Sequence, residues 1–238
     1  MPRIIAACCL RSTTVDMPAE HITSETAALK EQLTALSIPA TDEQIELLDL
    51  YRRLLWTWNE RMNLTRHTTI EKFVGRDLVD SYELSKLLEQ GERVLDVGTG
   101  GGVPGLAIAI LRPDLTVNVC DSTQKKARAV EAIVADLGIP VRVYPNRAED
   151  VLEITTFDTL VARGLAPLPK ILSWLASRWD AFDRLLLIKG RSWVEERAEA
   201  RQLGLMRGRE LRKAASYVTP GNDSESVILS VCQGTDRD

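Results

Sequence analysis

Apolar positions along the chain follow two regimes that meet near residue 91. Before it they recur at helical spacing. Residues 23–36 are helix-compatible, and Thr41-Asp42-Glu43-Gln44 reads as a helix start with Thr41 as its cap. That helix runs to about Asn59 and sets Ile45, Leu48, Leu54, Leu55 and Trp58 on one face. Asn63-Leu64-Thr65 breaks the pattern. A further helix begins near Thr69, carries Phe73, Val74, Leu78, Val79, Leu84 and Leu87, and is closed by Gly91. Beyond it, short apolar runs at 93–97, 116–120, 141–144, 157–162 and 183–188 predict strands. Helical patterns near 104–111, 123–137 and 167–178 separate them, and another follows near 192–203. Gly138-Ile139-Pro140 is a helix stop. Two last strands, about 211–218 and 226–232, are joined through the turn residues Pro220-Gly221-Asn222-Asp223. Strands alternating with helices predict an α/β fold with a parallel sheet and crossover helices. The division is a helical cap over 23–90 and an α/β domain over 91–238, after an extension at 1–22 expected to be disordered.

Composition narrows this picture modestly. A chain of 238 residues with 45% hydrophobic content and a mean hydropathy of −0.09 suits one soluble α/β domain with an added helical piece. Cys8, Cys9, Cys120 and Cys232 have neither zinc-ligand nor disulfide-framework spacing, which points to a reducing, cytoplasmic setting without metal. No run of about 20 apolar residues is present, so no membrane span is expected. Ile4 to Leu10 is apolar but short for a signal peptide and lacks a clear cleavage site, and Met17 is an alternative start. The net charge of −4 argues against a wholly basic surface while leaving room for a local basic face.

The chemistry concentrates in Arg93-Val94-Leu95-Asp96-Val97-Gly98-Thr99-Gly100-Gly101-Gly102-Val103-Pro104-Gly105. A strand ends in an acid, and a glycine-dense turn then opens an apolar helix. Glycines let backbone approach a ligand closely. The spacing Gly98-x-Gly100-x-Gly102 differs from the dinucleotide pattern, whose third glycine falls three residues after the second. Asp121 follows the next strand, about 20 residues on, where an acid suits the hydroxyls of a ribose. The bland readings are a tight strand-to-helix connection for the turn and a helix cap for Asp121. Spacing alone leaves a nicotinamide dinucleotide and S-adenosylmethionine both open. The cation of the latter would be favoured by a nearby carboxylate such as Asp96.

Several segments in order resemble the ribosomal RNA small subunit methyltransferase G family, also called glucose-inhibited division protein B. They are Leu54-Leu55-Trp56-Thr57-Trp58-Asn59, Asn63-Leu64-Thr65, Asp80-Ser81 and the glycine turn from Asp96 to Gly105. Arg112-Pro113, Asp121-Ser122, Lys125-Lys126, Asn146-Arg147-Ala148-Glu149, Ala162-Arg163 and Lys189-Gly190 complete the set, within about 41–232. The resemblance implies a Rossmann-like class I methyltransferase: a doubly wound, mostly parallel seven-stranded sheet with one antiparallel strand, plus the N-terminal helical cap. It implies transfer of a methyl group from S-adenosyl-L-methionine to N7 of a guanine in 16S ribosomal RNA, in the decoding-region loop. The partner is then 16S rRNA or the small subunit, met by a monomer without membrane or metal. Carried over by position, Asp96, Gly98, Gly100, Gly102, Val103, Asp121, Ala148 and Glu149 bind the cofactor. Arg163 stands between cofactor and substrate as the catalytic candidate, weighed against a structural salt bridge.

Guanine N7 carries its own lone pair, so its methylation needs placement and no general base. That agrees with a chain holding only His21 and His67 and no dyad evident in its sequence. Arg61, Arg66 and Arg76, within a basic stretch of the cap that also holds Arg52, Arg53, His67 and Lys72, and Lys125 and Lys126, in the helix after Asp121, are the RNA-binding candidates. Arg207, Arg209, Arg212 and Lys213 form a second, weaker group, and Trp56 and Trp58 read as packing. Two departures bear on target choice. Relatives usually show Arg-His where this chain has Arg76-Asp77, and alanine plus an aromatic where it has Gly164-Leu165. The alternatives are a methyltransferase of another RNA or small molecule, and a non-catalytic RNA-binding assembly factor.

Overall fold

A computed structural model describes residues 19–220 and 225–234. The expectations for residues 1–18, including the alternative start at Met17, and for the turn at Gly221-Asn222-Asp223 lie outside the described residues. Seven strands form one sheet: β1 (Arg93–Val97), β2 (Thr116–Cys120), β3 (Arg142–Tyr144), β4 (Phe157–Arg163), β5 (Phe182–Lys189), β6 (Arg209–Val218) and β7 (Glu225–Gln233). Their order is β3-β2-β1-β4-β5-β7-β6. Strands β1 to β5 pair in parallel, and β7 runs antiparallel to both β5 and β6. The order reverses between β1 and β4, and ligands bind at such a switch point, beyond the carboxyl ends of the strands. The predicted strands all appear, with β1 and β2 at the expected limits. Long apolar runs such as Leu185-Leu186-Leu187-Ile188 are buried because helices cover both faces.

The helices are α1 (Ala19–Ala35), α2 (Asp42–Asn59), α3 (Ile70–Lys72), α4 (Val79–Ser85), α5 (Gly105–Leu111), α6 (Gln124–Leu137), α7 (Ala148–Leu152), α8 (Leu168–Trp174) and α9 (Trp193–Gln202). Thr41 caps α2 through the Gln44 amide, and Gln44 returns a bond to the Thr41 N–H, a reciprocal capping box. Gly138 closes α6 with φ 64°. Two expectations are corrected. The third cap helix changes pitch: a π-helical segment, Phe73–Leu78, joins α3 to α4, and the helix ends at Ser85, six residues before Gly91. Helix α7, only five residues long, was not foreseen.

The cap does not stand apart from the sheet. Leu48, Tyr51, Leu55, Phe73 and Leu78 share one continuous buried cluster with Val94 of β1, Val119 of β2 and Ile133 of α6. Helix α1 therefore packs on α2, and α2 packs in turn on α5 and α6. Burial of those side chains, about 1.5–3 kcal/mol each, ties the cap to the element that carries the glycine turn.

Candidate functional site

Strand β1 delivers Asp96 to the floor of the turn. Its side chain is fully buried and accepts from the Thr99 hydroxyl at 2.6 Å and the Gly105 N–H at 2.9 Å. One carboxylate thus bridges the start of the turn and the first residue of α5. Burial raises its pKa to about 6, although the bonds from Thr99 and Gly105 oppose that rise. Asp96 acts on the turn from beneath and is not among the residues that line the cavity beside it. The fit is tight: a Cβ on Gly105 would lie 2.6 Å from Val119 Cγ1 and 2.8 Å from Asp96 Oδ2.

Above this floor Gly98, Gly100 and Gly102 all have positive φ. At Gly98 (φ 70°) the reason for glycine is double, because an added Cβ would also collide with Leu165 Cδ1. Asp121, at the end of β2, accepts from the Gly100 N–H at 3.0 Å and the Thr123 N–H at 2.7 Å. It therefore fastens the turn to the entry of α6 while keeping further lone pairs for a ribose. A cavity opens beside the turn, between Val97, Gly98 and Cys120 on one side and Ile171, Trp174 and Leu175 of the α8 region on the other. Ser122, Asn146, Ala148 and Glu149 supply its polar and after-β3 wall, and Leu165 closes it. Gly98, Ala148 and Glu149 thus line the cavity, Gly100 and Asp121 are bonded to each other next to it, and Gly102 and Val103 lie packed behind the turn. Cys120 is buried and its pKa is pushed to about 12 by desolvation, which leaves an inert thiol.

The cap meets the turn from the other side. Tyr51 donates to the Gly101 carbonyl at 2.9 Å, and a Cβ on Gly101 would lie 2.8 Å from Leu55 Cδ1 and 3.3 Å from the Leu64 carbonyl. Leu64 is held there because the Asn59 side-chain oxygen Oδ1 accepts from the N–H groups of both Leu64 and Thr65. That bond pair gives the Trp58-Asn59 and Asn63-Leu64-Thr65 segments their physical meaning. Trp56 and Trp58 pack against the core, as expected, and Trp56 Nε1 donates to the His67 carbonyl.

A second cleft lies between the cap and the ends of β4 and β5. Arg66, His67, Arg76, Arg163, Gly164 and Lys189 are among its lining residues. Arg163 is held in a double ion pair, Nη2 to Asp77 at 2.5 Å and Nη1 to Asp80 at 3.0 Å. Desolvation works against its charge, but Asp77 and then Asp80 outweigh this and raise the guanidinium pKa further. The salt-bridge alternative is thus realised, and Arg163 reaches the cleft as a paired group. Tyr217 of β6 donates to Asp80 at 2.7 Å, and His67 Nδ1 lies 2.8 Å from Asp77. This network was not legible in the sequence, since its members lie as far as 137 residues apart.

Other basic candidates separate by location. Arg66 and Arg76 line the second cleft, while Arg61 is exposed at the end of α2 and Lys125 is exposed on α6 beside the partly covered Lys126. Arg52 leaves the set: it is buried, paired with Asp49 at 2.7 Å and Glu25 at 2.6 Å, and stacked over Trp56. Arg209 lies over the Trp179 ring, while Arg207, Arg212 and Lys213 are exposed and Arg212 pairs with Glu210. Gly164 and Leu165 divide. Gly164 lines the second cleft with φ 61°, while Leu165 lines the cavity beside the glycine turn.

The family model for rRNA small subunit methyltransferase G (GidB) matches residues 44–223. The chain belongs to that family. A ribosomal RNA small subunit methyltransferase G from Rhodopirellula baltica is 49% identical over 170 residues, 71% of this chain and 74% of that protein. The one from Chromobacterium violaceum is 35% identical over 209 residues, 87% and 98% of the respective chains. Among solved structures, M. capricolum TrmK in complex with S-adenosyl-homocysteine superposes with a TM-score of 0.51 at 13% identity, over 67% of this chain and 71% of that one. At that identity the likeness shows the fold alone.

Proposed function

We propose that this protein transfers a methyl group from S-adenosyl-L-methionine to N7 of a guanine in the decoding-region loop of 16S ribosomal RNA. The carrying observation is that neighbouring residues after β4 open onto two clefts, Leu165 onto the cavity beside the glycine turn and Gly164 onto the basic cleft under the cap, in a member of a family whose relatives are named for small-subunit rRNA methylation. The residues present fit the cofactor: apolar walls suit a purine, Asp121 has lone pairs left for a ribose, and Gly98 admits no side chain between backbone and ligand. Bound there, the sulfonium supplies the methyl group to the N7 lone pair while the C–S electron pair leaves on sulfur, and no proton is lost.

The chain's own contribution is placement. Asp96 and Asp121 fix the turn, Leu165 and Trp174 exclude water from the cavity, and the Asp77–Arg163–Asp80 network sets the end of β4 against the cap. Arg66, Arg76, Lys125 and Lys126, with Arg61 further out, serve the RNA phosphates. On this reading the protein acts as a single chain in the cytoplasm, without metal.

The test is the modified base itself. 16S rRNA from cells with and without the gene is treated with borohydride and aniline, and cleavage at 7-methylguanine is mapped by reverse transcription. Loss of one decoding-region site, restored by the wild-type gene and not by Asp121→Ala, is the expected result. An unchanged rRNA overturns the target assignment.

A further inference from the structure

His67 is fixed at every polar atom but one. Its N–H donates to the Thr65 hydroxyl at 3.0 Å, its carbonyl accepts from Trp56 Nε1 at 3.0 Å, and its Nδ1 lies 2.8 Å from Asp77 Oδ1. Asp77 is fully buried and already accepts from Arg163. A carboxylate so paired only accepts, which assigns the Nδ1 proton to the imidazole. The buried aspartate holds the Nδ1 edge of the ring, and one quarter of the side chain stays exposed in a residue that lines the second cleft. No described residue bonds to Nε2. In the neutral ring it is a lone-pair acceptor.

Its surroundings make that acceptor unusual. Arg66, Arg76, Arg163 and Lys189 can only donate hydrogen bonds. The carboxylates nearby are engaged: Asp80 by Arg163 and Tyr217, and Glu225 by Lys213 at 3.7 Å. Phosphate oxygens are acceptors and suit the cations, but they cannot serve a lone pair. Within an RNA nucleotide the base N–H groups do. Guanine carries its N1–H and 2-amino donors on the edge away from N7, and that edge is free while N7 meets the cofactor.

We propose that His67, oriented by Asp77, is a specificity-determining residue whose Nε2 accepts from the 2-amino group of the target guanine. The inference rests on the guanine-N7 reading above.

The experiment compares small subunits reconstituted with 16S rRNA carrying either guanosine or inosine, which lacks the 2-amino group, at the target position. Wild type is expected to lose about tenfold or more in kcat/KM on the inosine substrate, the cost of an unmet polar partner. His67→Ala is expected to lose a similar factor on guanosine, to show no further loss on inosine, and to keep the wild-type cofactor Kd. His67→Gln, which retains an acceptor, is expected to recover part of the discrimination. Equal losses on inosine in wild type and His67→Ala overturn the proposal. No methyl transfer to the guanosine substrate by wild type would sink the guanine-N7 reading instead.

Discussion

The Tyr51 hydroxyl and the Gly101 carbonyl oxygen lie 2.9 Å apart, in a buried hydrogen bond that fastens α2 of the cap to the cofactor turn. Desolvation, and then the charge of Asp77, raise the Tyr51 pKa well above its usual value, so the phenol remains a donor throughout the working range. Tyr51→Phe removes that donor and leaves the carbonyl without it, for about 1–3 kcal/mol of stability. Chemical denaturation measures that loss. Calorimetry with S-adenosyl-L-homocysteine is expected to show weaker binding, because the turn loses a restraint. Unchanged affinity would mean the turn holds its shape without the cap.

Gly98→Ala combines two penalties, a left-handed backbone and a collision with Leu165. Cofactor affinity is expected to fall tenfold or more while the fold persists. Adding Leu165→Ala relieves the collision but not the backbone strain, so the double variant should regain only part of the loss. Full recovery in the calorimeter would show that sterics alone operate at this position.

Asp96 gives stability a pH dependence of unusual sign. Its folded pKa of about 6 lies above the unfolded value near 3.9. Between these values the native state holds a proton that the unfolded chain has released. This group's contribution is therefore full below about pH 4 and is lost as pH rises to about 6, on the order of 3 kcal/mol in all. Denaturant midpoints for wild type and Asp96→Asn should converge or diverge across that window and run parallel above it. A difference that is flat from pH 4 to 6 would refute the assignment.

Removing Arg163 leaves Asp77 and Asp80 buried without their cation. Arg163→Ala is expected to cost about 3–5 kcal/mol. Arg163→Ala combined with Asp77→Asn should cost less than Arg163→Ala alone, since a neutral amide tolerates burial better. Urea titrations separate the two cases.

Arg66 and Arg76 face the cleft, where phosphate contacts are long-range and screened. Each replacement by alanine should weaken RNA binding and lower the slope of log K against log salt by about one. Cofactor affinity should stay at the wild-type level. A slope unchanged in both variants would move the RNA path elsewhere, with Lys125 and Lys126 as the next residues to test.

Much of this architecture is legible in residue order. Alternating short apolar runs place β1 and β2 to the residue, and Gly138 before Pro140 marks the end of α6, because those signals are local. The glycine turn and Asp121 are local signals as well. What escaped is long-range or very short. Helix α7 is only five residues, Ala148–Leu152, too short for a periodicity to read. Arg52 looks like a surface cation until α1 brings Glu25 over it, although Asp49, one turn earlier on α2, was a visible hint. Arg163 meets Asp77 and Asp80 only because β4 ends beneath the cap.

The sheet's two borders carry a consequence for how the chain behaves among copies of itself. At one border β3 offers only Arg142, Val143 and Tyr144. At the other, β6 is long, but Glu210, Arg212 and Lys213 project from it, and its register with β7 slips between Lys213 and Ala215. A short strand is a poor template, and a charged, irregular one repels an incoming neighbour. Both borders therefore resist strand recruitment, and a molecule with a large apolar sheet can accumulate in the cell without seeding aggregates edge to edge.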